Sequence, residues 1–377
     1  MAATEQDRPL TVVQVLPALN AGGVERGTVE FARELVRLGH RSIVISSGGR
    51  MVAQLEAEGT EHIQMPVHKK SLASLLQVRP MRRLLGKLNA DIVHVRSRIP
   101  AWISWLAWRR MPPATRPGLV STFHGMYSVN AYSAIMAKPQ HLIAISHCVE
   151  RYILDNYKVA PERITVIQRG VDTRAFHPAP PDAAWLEQLY SEHPQLEDKK
   201  LILMPGRLTR WKGQEAFLAM MADLLQLQRE PEAHGVVVGG AEKNKESYLA
   251  ELEAQARELG IDQQITFTGH RSDIVEFYRL ADVVCHMSNK PEPFGRTLTE
   301  ALAVGTPVVA FDRGGAAESL SACFPEGLVP PDDLTTFAAR VHEQLHQHPR
   351  IVVHPEFQLE HQVQATLEVY HRAVTHS

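Results

Sequence analysis

Short runs of β-branched residues recur along this chain, each followed by a stretch with helical spacing, and that alternation constrains the fold more than any other feature. Residues 11–16 read as a buried strand, followed by a glycine-containing loop and a helix over about 24–38. Gly39-His40 ends that helix and 41–46 is the next strand. Further strands are predicted at 91–95, 118–123, 141–145 and 164–167, with helical patterns between them. Such units pair as βαβ on a parallel sheet, and right-handed crossovers make the sheet doubly wound. The pattern stops at the stiff stretch His177-Pro178-Ala179-Pro180-Pro181 and restarts at 200–204, with strands at 235–238, 264–267, 282–285 and 306–310. A chain of 377 residues exceeds what one core usually supports. The expectation is two Rossmann-like domains, 1–178 and 179–359. Open α/β sheets bind ligands at the carboxyl ends of their strands, so two such domains facing each other place the site in the cleft between them.

The most informative motif is Lys290-Pro291-Glu292-Pro293-Phe294-Gly295-Arg296-Thr297-Leu298-Thr299-Glu300. It spaces two glutamates eight apart across a Pro-Phe-Gly turn that opens a helix. Backbone N–H groups at a helix start favour an anion. Carboxylates repel a bare phosphate but accept hydrogen bonds from sugar hydroxyls. The combination points to a ligand carrying both phosphate and sugar, with Glu300 on the first turns of the helix and Glu292 at the cleft mouth. Ordinary capping of a helix start by glutamate is the alternative reading.

Other motifs fall at predicted strand ends. Pro205-Gly206-Arg207-Leu208-Thr209-Arg210-Trp211-Lys212-Gly213 places Arg207 and Lys212 on a loop suited to a diphosphate, with Arg210 read as a surface residue. Gly22-Gly23 follows the first strand without the third glycine of a dinucleotide fingerprint, which disfavours an NAD-dependent dehydrogenase. Phe123-His124-Gly125 ends another strand and aims a histidine at the cleft. Arg96-Ser97-Arg98 supplies two cations that bind an anionic acceptor or are simply solvated. Trp102, Trp105 and Trp108 precede Arg109-Arg110 and fit a core-facing stripe or an interfacial helix. Arg79, Arg82, Arg83 and Lys87 on a neighbouring helix keep a peripheral membrane contact in view.

The two-glutamate segment closely resembles the signature of the retaining glycosyltransferases of family 4, whose fold is called GT-B, and the resemblance runs from Ala21-Gly22-Gly23-Val24-Glu25 to the last helix. It implies that the C-terminal segment 360–377 returns to the first domain. It implies a donor site of Gly22, Gly23, Arg207, Lys212, Arg271, Glu292, Phe294, Gly295, Arg296 and Glu300. Arg207 and Lys212 would hold the diphosphate, Glu292 the transferred sugar, Glu300 the ribose and His124 the sugar near its reacting carbon. His124, Arg207, Lys212 and Glu292 are the catalytic set so implied. Gly269-His270-Arg271-Ser272-Asp273-Ile274 matches the loop that meets the base. Glu25, Arg26, Arg96, Arg98 and Arg169 are candidates for the acceptor. Arg169 and Arg296-Thr297 depart from the residues usual in the family at these points, which leaves sugar and acceptor identity open.

Composition narrows the class further. Hydrophobic content of 44% and charged content of 22% are those of a globular protein. The net charge of −2 hides an asymmetry: residues 1–180 hold 23 Lys and Arg against 13 Asp and Glu, the remainder 17 against 29. A basic first half suits an anionic acceptor or membrane surface. Three scattered cysteines, a polar start at Met1-Ala2-Ala3-Thr4-Glu5-Gln6-Asp7-Arg8 and the lack of a spanning apolar run predict a cytoplasmic protein, at most peripheral on the inner membrane. The chain is expected to lack Asp-x-Asp, His-Glu-x-x-His and paired-cysteine sites, so no metal and no cofactor is expected beyond the nucleotide-diphosphate-sugar substrate.

The expectation is a metal-independent retaining hexosyltransferase moving sugar from a sugar nucleotide to a glycan or glycolipid, with a lipopolysaccharide core or related envelope glycan as acceptor and no nucleic-acid partner. The alternatives are a GT-B sugar-nucleotide epimerase or phosphorylase, or a non-catalytic binding regulator.

Overall fold

The computed structural model describes residues 8–20, 22–226, 230–240, 246–347 and 349–375. Ala21 of the glycine loop and the polar start 1–7 lie outside the described residues. The chain divides into two units, one of residues up to Gly170 with those from Leu359 onward, the other Val171–Gln358. The division falls earlier than the proline-rich stretch suggested. Val171 N–H bonds the Phe357 carbonyl at 2.8 Å and bridges to Gln358, so the second unit begins there rather than at residue 179.

In the first unit the strands are β1 (Thr11–Val15), β2 (Arg41–Ser46), β3 (Glu61–Gln64), β4 (Ile92–Val95), β5 (Gly118–Phe123), β6 (His141–Ala144) and β7 (Ile164–Val166). They form one parallel sheet in the order β3-β2-β1-β4-β5-β6-β7. Val12, Val13 and Val15 are fully buried, as expected of a parallel strand covered on both faces. The helix Gly23–Arg37 buries Thr28, Phe31 and Leu35 at helical spacing. The last helix, Leu359–Thr375, packs on the same sheet. A Cβ on Gly118 would meet Ala373 Cβ at 2.8 Å, and Tyr370 meets Phe31 edge-on at 6.1 Å.

The second unit holds β8 (Lys200–Pro205), β9 (Ala233–Val238), β10 (Ile265–Gly269), β11 (Val283–His286), β12 (Val308–Phe311) and β13 (Leu328–Val329), parallel in the order β10-β9-β8-β11-β12-β13. The helices Gln214–Gln226 and Leu334–Leu345 bury Phe217, Met221, Phe337 and Val341 beneath this sheet. Strand order reverses between β1 and β4 in one sheet and between β8 and β11 in the other. Loops leaving these strands are where each unit presents polar groups.

Candidate active site

In the second unit the loop after β8 and the segment after β11 meet. Gly213 takes φ 86°, and a Cβ there would lie 2.0 Å from the Met287 carbonyl oxygen, so the two backbones touch. This approach joins Lys212 to Glu292. Lys212 Nζ donates to Glu292 Oε1 at 2.6 Å, His286 Nε2 lies 2.8 Å from the same oxygen, and the Ser288 hydroxyl donates to it as well. Glu292 is only 6% exposed. Burial works to raise its pKa, but the charges and hydrogen bonds of His286 and Lys212 outweigh burial and hold the carboxyl well below the usual carboxylate range. Glu292 is therefore an anion, locked from three sides. Its carbonyl also accepts from Gly315 N–H at 2.8 Å, which pins the segment to the following strand-loop.

Phe294 is buried and its ring lies 6.2 Å from that of Phe357, so its side chain belongs to the core. Gly295 caps the helix Arg296–Ala303 with φ 97°, a conformation that costs glycine little. Glu300 lies on the first turns of this helix, is 2% exposed, and accepts from Arg296 Nε at 3.1 Å and Tyr278 Oη at 3.2 Å. Arg296, in the same helix four residues earlier, thus offsets the charge of the carboxylate it was expected to act beside. Arg207 is exposed, and Gln214 Nε2 holds its carbonyl at 3.0 Å. Arg210 is a surface residue, paired to Glu215 at 2.9 Å and Glu251 at 2.5 Å. Arg271 grips Asp273 through two bonds of 3.0 and 2.7 Å and pairs with Glu192 at 3.2 Å, which raises its pKa and builds the loop as much as it offers a cation.

In the first unit, His124 leaves the end of β5 into a small cavity lined also by Gly27, His94, Arg96, Thr122 and Arg169. Both His124 ring nitrogens are buried and bond to nothing among the described residues. Burial first, then the Arg169 and Arg96 charges, push its pKa well below the ordinary histidine value, so the ring is neutral. Its backbone N–H donates to the Tyr127 hydroxyl at 3.3 Å. Arg96 is buried, bonds Gln14 Oε1 at 2.8 Å and lies over the Phe31 ring at 5.5 Å; burial lowers its pKa to about 10. His94 links Thr122 Oγ1 and Tyr370 Oη, each at 2.6 Å, and so ties the cavity floor to the last helix. Arg169 donates to the Gly23 carbonyl, which fixes the glycine loop at the start of its helix. Gly22 takes φ 143°, a conformation that favours glycine, and a Cβ there would displace the movable Glu25 carboxylate. Glu25 and Arg26 are half-buried on that helix, Arg26 3.6 Å from Glu30. Arg98 stands apart from the cavity, over the Tyr127 and Tyr132 rings.

The tryptophan helix is Arg98–Trp108. Trp102 and Trp108 donate their indole N–H to the carbonyls of Tyr132 and Pro117, and all three rings are half-buried. That favours the packing stripe over an interfacial helix. Sequence reasoning missed His286 and Ser288, though both follow an apolar run at a strand end. It missed His94 and Tyr370, which lie 276 positions apart. The expectation of a chain without metal-ligand motifs also fails at one run, because His342-Glu343-Gln344-Leu345-His346 has the His-Glu-x-x-His spacing.

Two parallel Rossmann-like units of this topology are those of the GT-B fold. The family described as Glycosyltransferase Family 4 matches residues 21–175, and that described as Glycosyl transferases group 1 matches 187–351. The chain belongs to the family 4 glycosyltransferases. A glycosyltransferase from Rickettsia africae is 29% identical, with TM-score 0.81, over 98% of this chain and 100% of that one. Anabaena Alr3699/HepE, solved with UDP and glucose, shares the fold at 20% identity and TM-score 0.74, over 96% and 100% of the two chains. The D-inositol 3-phosphate glycosyltransferase of Thermobispora bispora is 26% identical over 370 residues, 88% of this chain and 83% of that protein. The aligned region spans between 40% and 60% of the length of the first curated relatives matched.

Proposed function

We propose that this protein transfers a hexose from a nucleotide diphosphate to a glycan or glycolipid with retention of configuration, without a metal in the chemistry. The observation that carries this reading is the Lys212–Glu292 pair, a cation and a locked anion 2.6 Å apart on the strand ends of the second unit. Bond cleavage between the anomeric carbon and phosphate develops negative charge on the diphosphate and positive charge on the sugar. Lys212 and Arg207 meet the first and Glu292 the second, and Lys212 and Glu292 are preorganised in a poorly solvated setting. The acceptor hydroxyl adds to the anomeric carbon on the face that phosphate leaves, and the departing phosphate oxygen takes its proton. No separate protein base is then required. Neutral His124, with both ring nitrogens unpaired among the described residues, hydrogen-bonds the sugar near the reacting carbon. Glu300, held by Arg296, takes the ribose. The UDP and glucose bound by the Anabaena relative support a sugar-nucleotide donor.

The acceptor in this reading is anionic, an envelope glycan of the lipopolysaccharide-core kind. The basic first unit and buried Arg96 support it, and the name of the Thermobispora relative describes a phosphorylated acceptor. Exposed Arg79, Arg82, Arg83 and Lys87 on helix Val78–Leu88, beside Leu75 and Leu76 at 46% and 74% exposure, support peripheral contact with an anionic membrane on the cytoplasmic side. No helix among the described residues is long and apolar enough to cross a membrane. A panel of UDP-, GDP- and ADP-hexoses tests the reaction class. One donor is expected to release nucleotide diphosphate equally with and without EDTA, and Arg207→Ala and Lys212→Ala are each expected to slow it at least about 100-fold. Turnover that EDTA abolishes and magnesium restores rules out the metal-free step.

A further inference from the structure

His342 and His346 are four residues apart at the end of helix Leu334–Leu345, so their rings share one face, with centroids 4.9 Å apart. A third group reaches them from another element. Glu230, just before β9 and only 5% exposed, sets Oε1 2.8 Å from His342 Nδ1 and 2.5 Å from His346 Nε2. The three donor atoms all lie within 4.8 Å of one another. Lys200 Nζ occupies the other carboxylate oxygen at 3.0 Å.

We propose that Glu230, His342 and His346 form a binding site for a divalent transition ion of the zinc class, which ties the segment before β9 to the end of this helix. Two imidazole nitrogens and one carboxylate oxygen suit zinc, nickel or copper, whereas magnesium and calcium take oxygen ligands. Zinc sits about 2.0–2.2 Å from nitrogen and oxygen, so tetrahedral donors stand roughly 3.3 Å apart. The present 2.8 and 2.5 Å spacings open to that value when the rings turn by a few tenths of an ångström to nearly one. The rings are 38% and 52% exposed and have room to move. Lys200 stays on Oε2 and leaves Oε1 as a single ligand oxygen. Glu343, the residue that acts as base in hydrolases with this motif, is committed elsewhere. It accepts from Arg340 at 2.9 Å and from Gln347 at 3.1 Å, so the site binds an ion and does not hydrolyse. It stands outside the transfer chemistry.

The test uses the full chain, stripped with EDTA and desalted, and zinc chloride competed against a chromophoric chelator. One equivalent is expected to bind in the micromolar range or tighter, with a rise in Tm of about 5 °C at a hundredfold excess over Kd, and none with magnesium. His342→Ala/His346→Ala is expected to lose at least about 100-fold in affinity, and Glu230→Gln about tenfold. The exposed rings make the double variant a mild change, and its circular dichroism checks folding. Lys200→Met keeps every ligand and removes a cation from beside the site, so it is expected to tighten binding. With 19 histidines in the chain, the comparison of wild type and double variant is the deciding one. Equal zinc affinity in the two, no Tm response in wild type, or weaker binding in Lys200→Met overturns the proposal.

Discussion

Lys212→Met isolates the interaction on which the donor site rests. The side chains of Lys212 and Glu292 are 18% and 8% exposed, so the pair is largely shielded from water. Removing one partner of a buried ion pair costs about 3–5 kcal/mol, because the other charge is stranded. His286 and Ser288 still reach Glu292 Oε1, which places the loss near the lower end, about 3 kcal/mol. For a unit of this size each kcal/mol moves Tm by roughly 2–4 °C, so a fall of about 6–12 °C is expected. Adding Glu292→Gln removes the stranded charge, and the double variant is expected to regain half or more of the loss. The carboxyl pKa is depressed in the folded state. Its contribution is therefore complete above the unfolded value of about 4.3 and is lost as pH falls through the lower folded value. Thermal unfolding followed by circular dichroism at pH 7 reads the full effect. Nucleotide release from the donor, measured beside it, is expected to stay at least about 100-fold down in both variants, since repairing stability does not restore the charge that meets the leaving phosphate. An unchanged Tm in Lys212→Met, or a double variant no more stable than the single one, refutes the coupling.

Two further outcomes follow from the same geometry. Glu300→Gln is expected to weaken donor binding, read by calorimetry, more than turnover at saturating donor, whereas Glu292→Gln does the reverse; intact donor affinity in the first with lost affinity in the second overturns the placement. Replacing Arg79, Arg82, Arg83 and Lys87 together by Gln is expected to abolish sedimentation with vesicles rich in anionic lipid at low salt while leaving donor hydrolysis unchanged, and retained sedimentation removes that helix from the membrane contact.

The sheets were legible because parallel strands covered on both faces carry unbroken Val and Ile runs, as in β1 and β4. Two of the four edge strands were not, although β7 and β10 at the opposite edges were. β3 reads Glu61-His62-Ile63-Gln64, half exposed and paired only with β2, and β13 is two residues long. Lys212 and Glu292 were legible as residue types at strand ends, but their bond was not, since it depends on the approach of Gly213 to Met287. The helix position of Glu300 was legible but its burial was not, since Tyr278, which donates to it, comes from a different helix. His94 meets Tyr370 only because the last helix returns to the first sheet, a contact with no local signal. His342 and His346 carried a plain spacing signal, and Glu230, 112 positions earlier, needed the fold to bring it there.

The central claim, transfer with retention from a sugar nucleotide, is tested most directly by the anomer released from the donor that turns over. Proton NMR in deuterated buffer follows an α-linked nucleotide sugar with water as acceptor, on a timescale shorter than mutarotation. The α sugar is expected first, together with one nucleotide diphosphate per sugar. Appearance of the β sugar first, or no release from any donor by folded protein, contradicts the account.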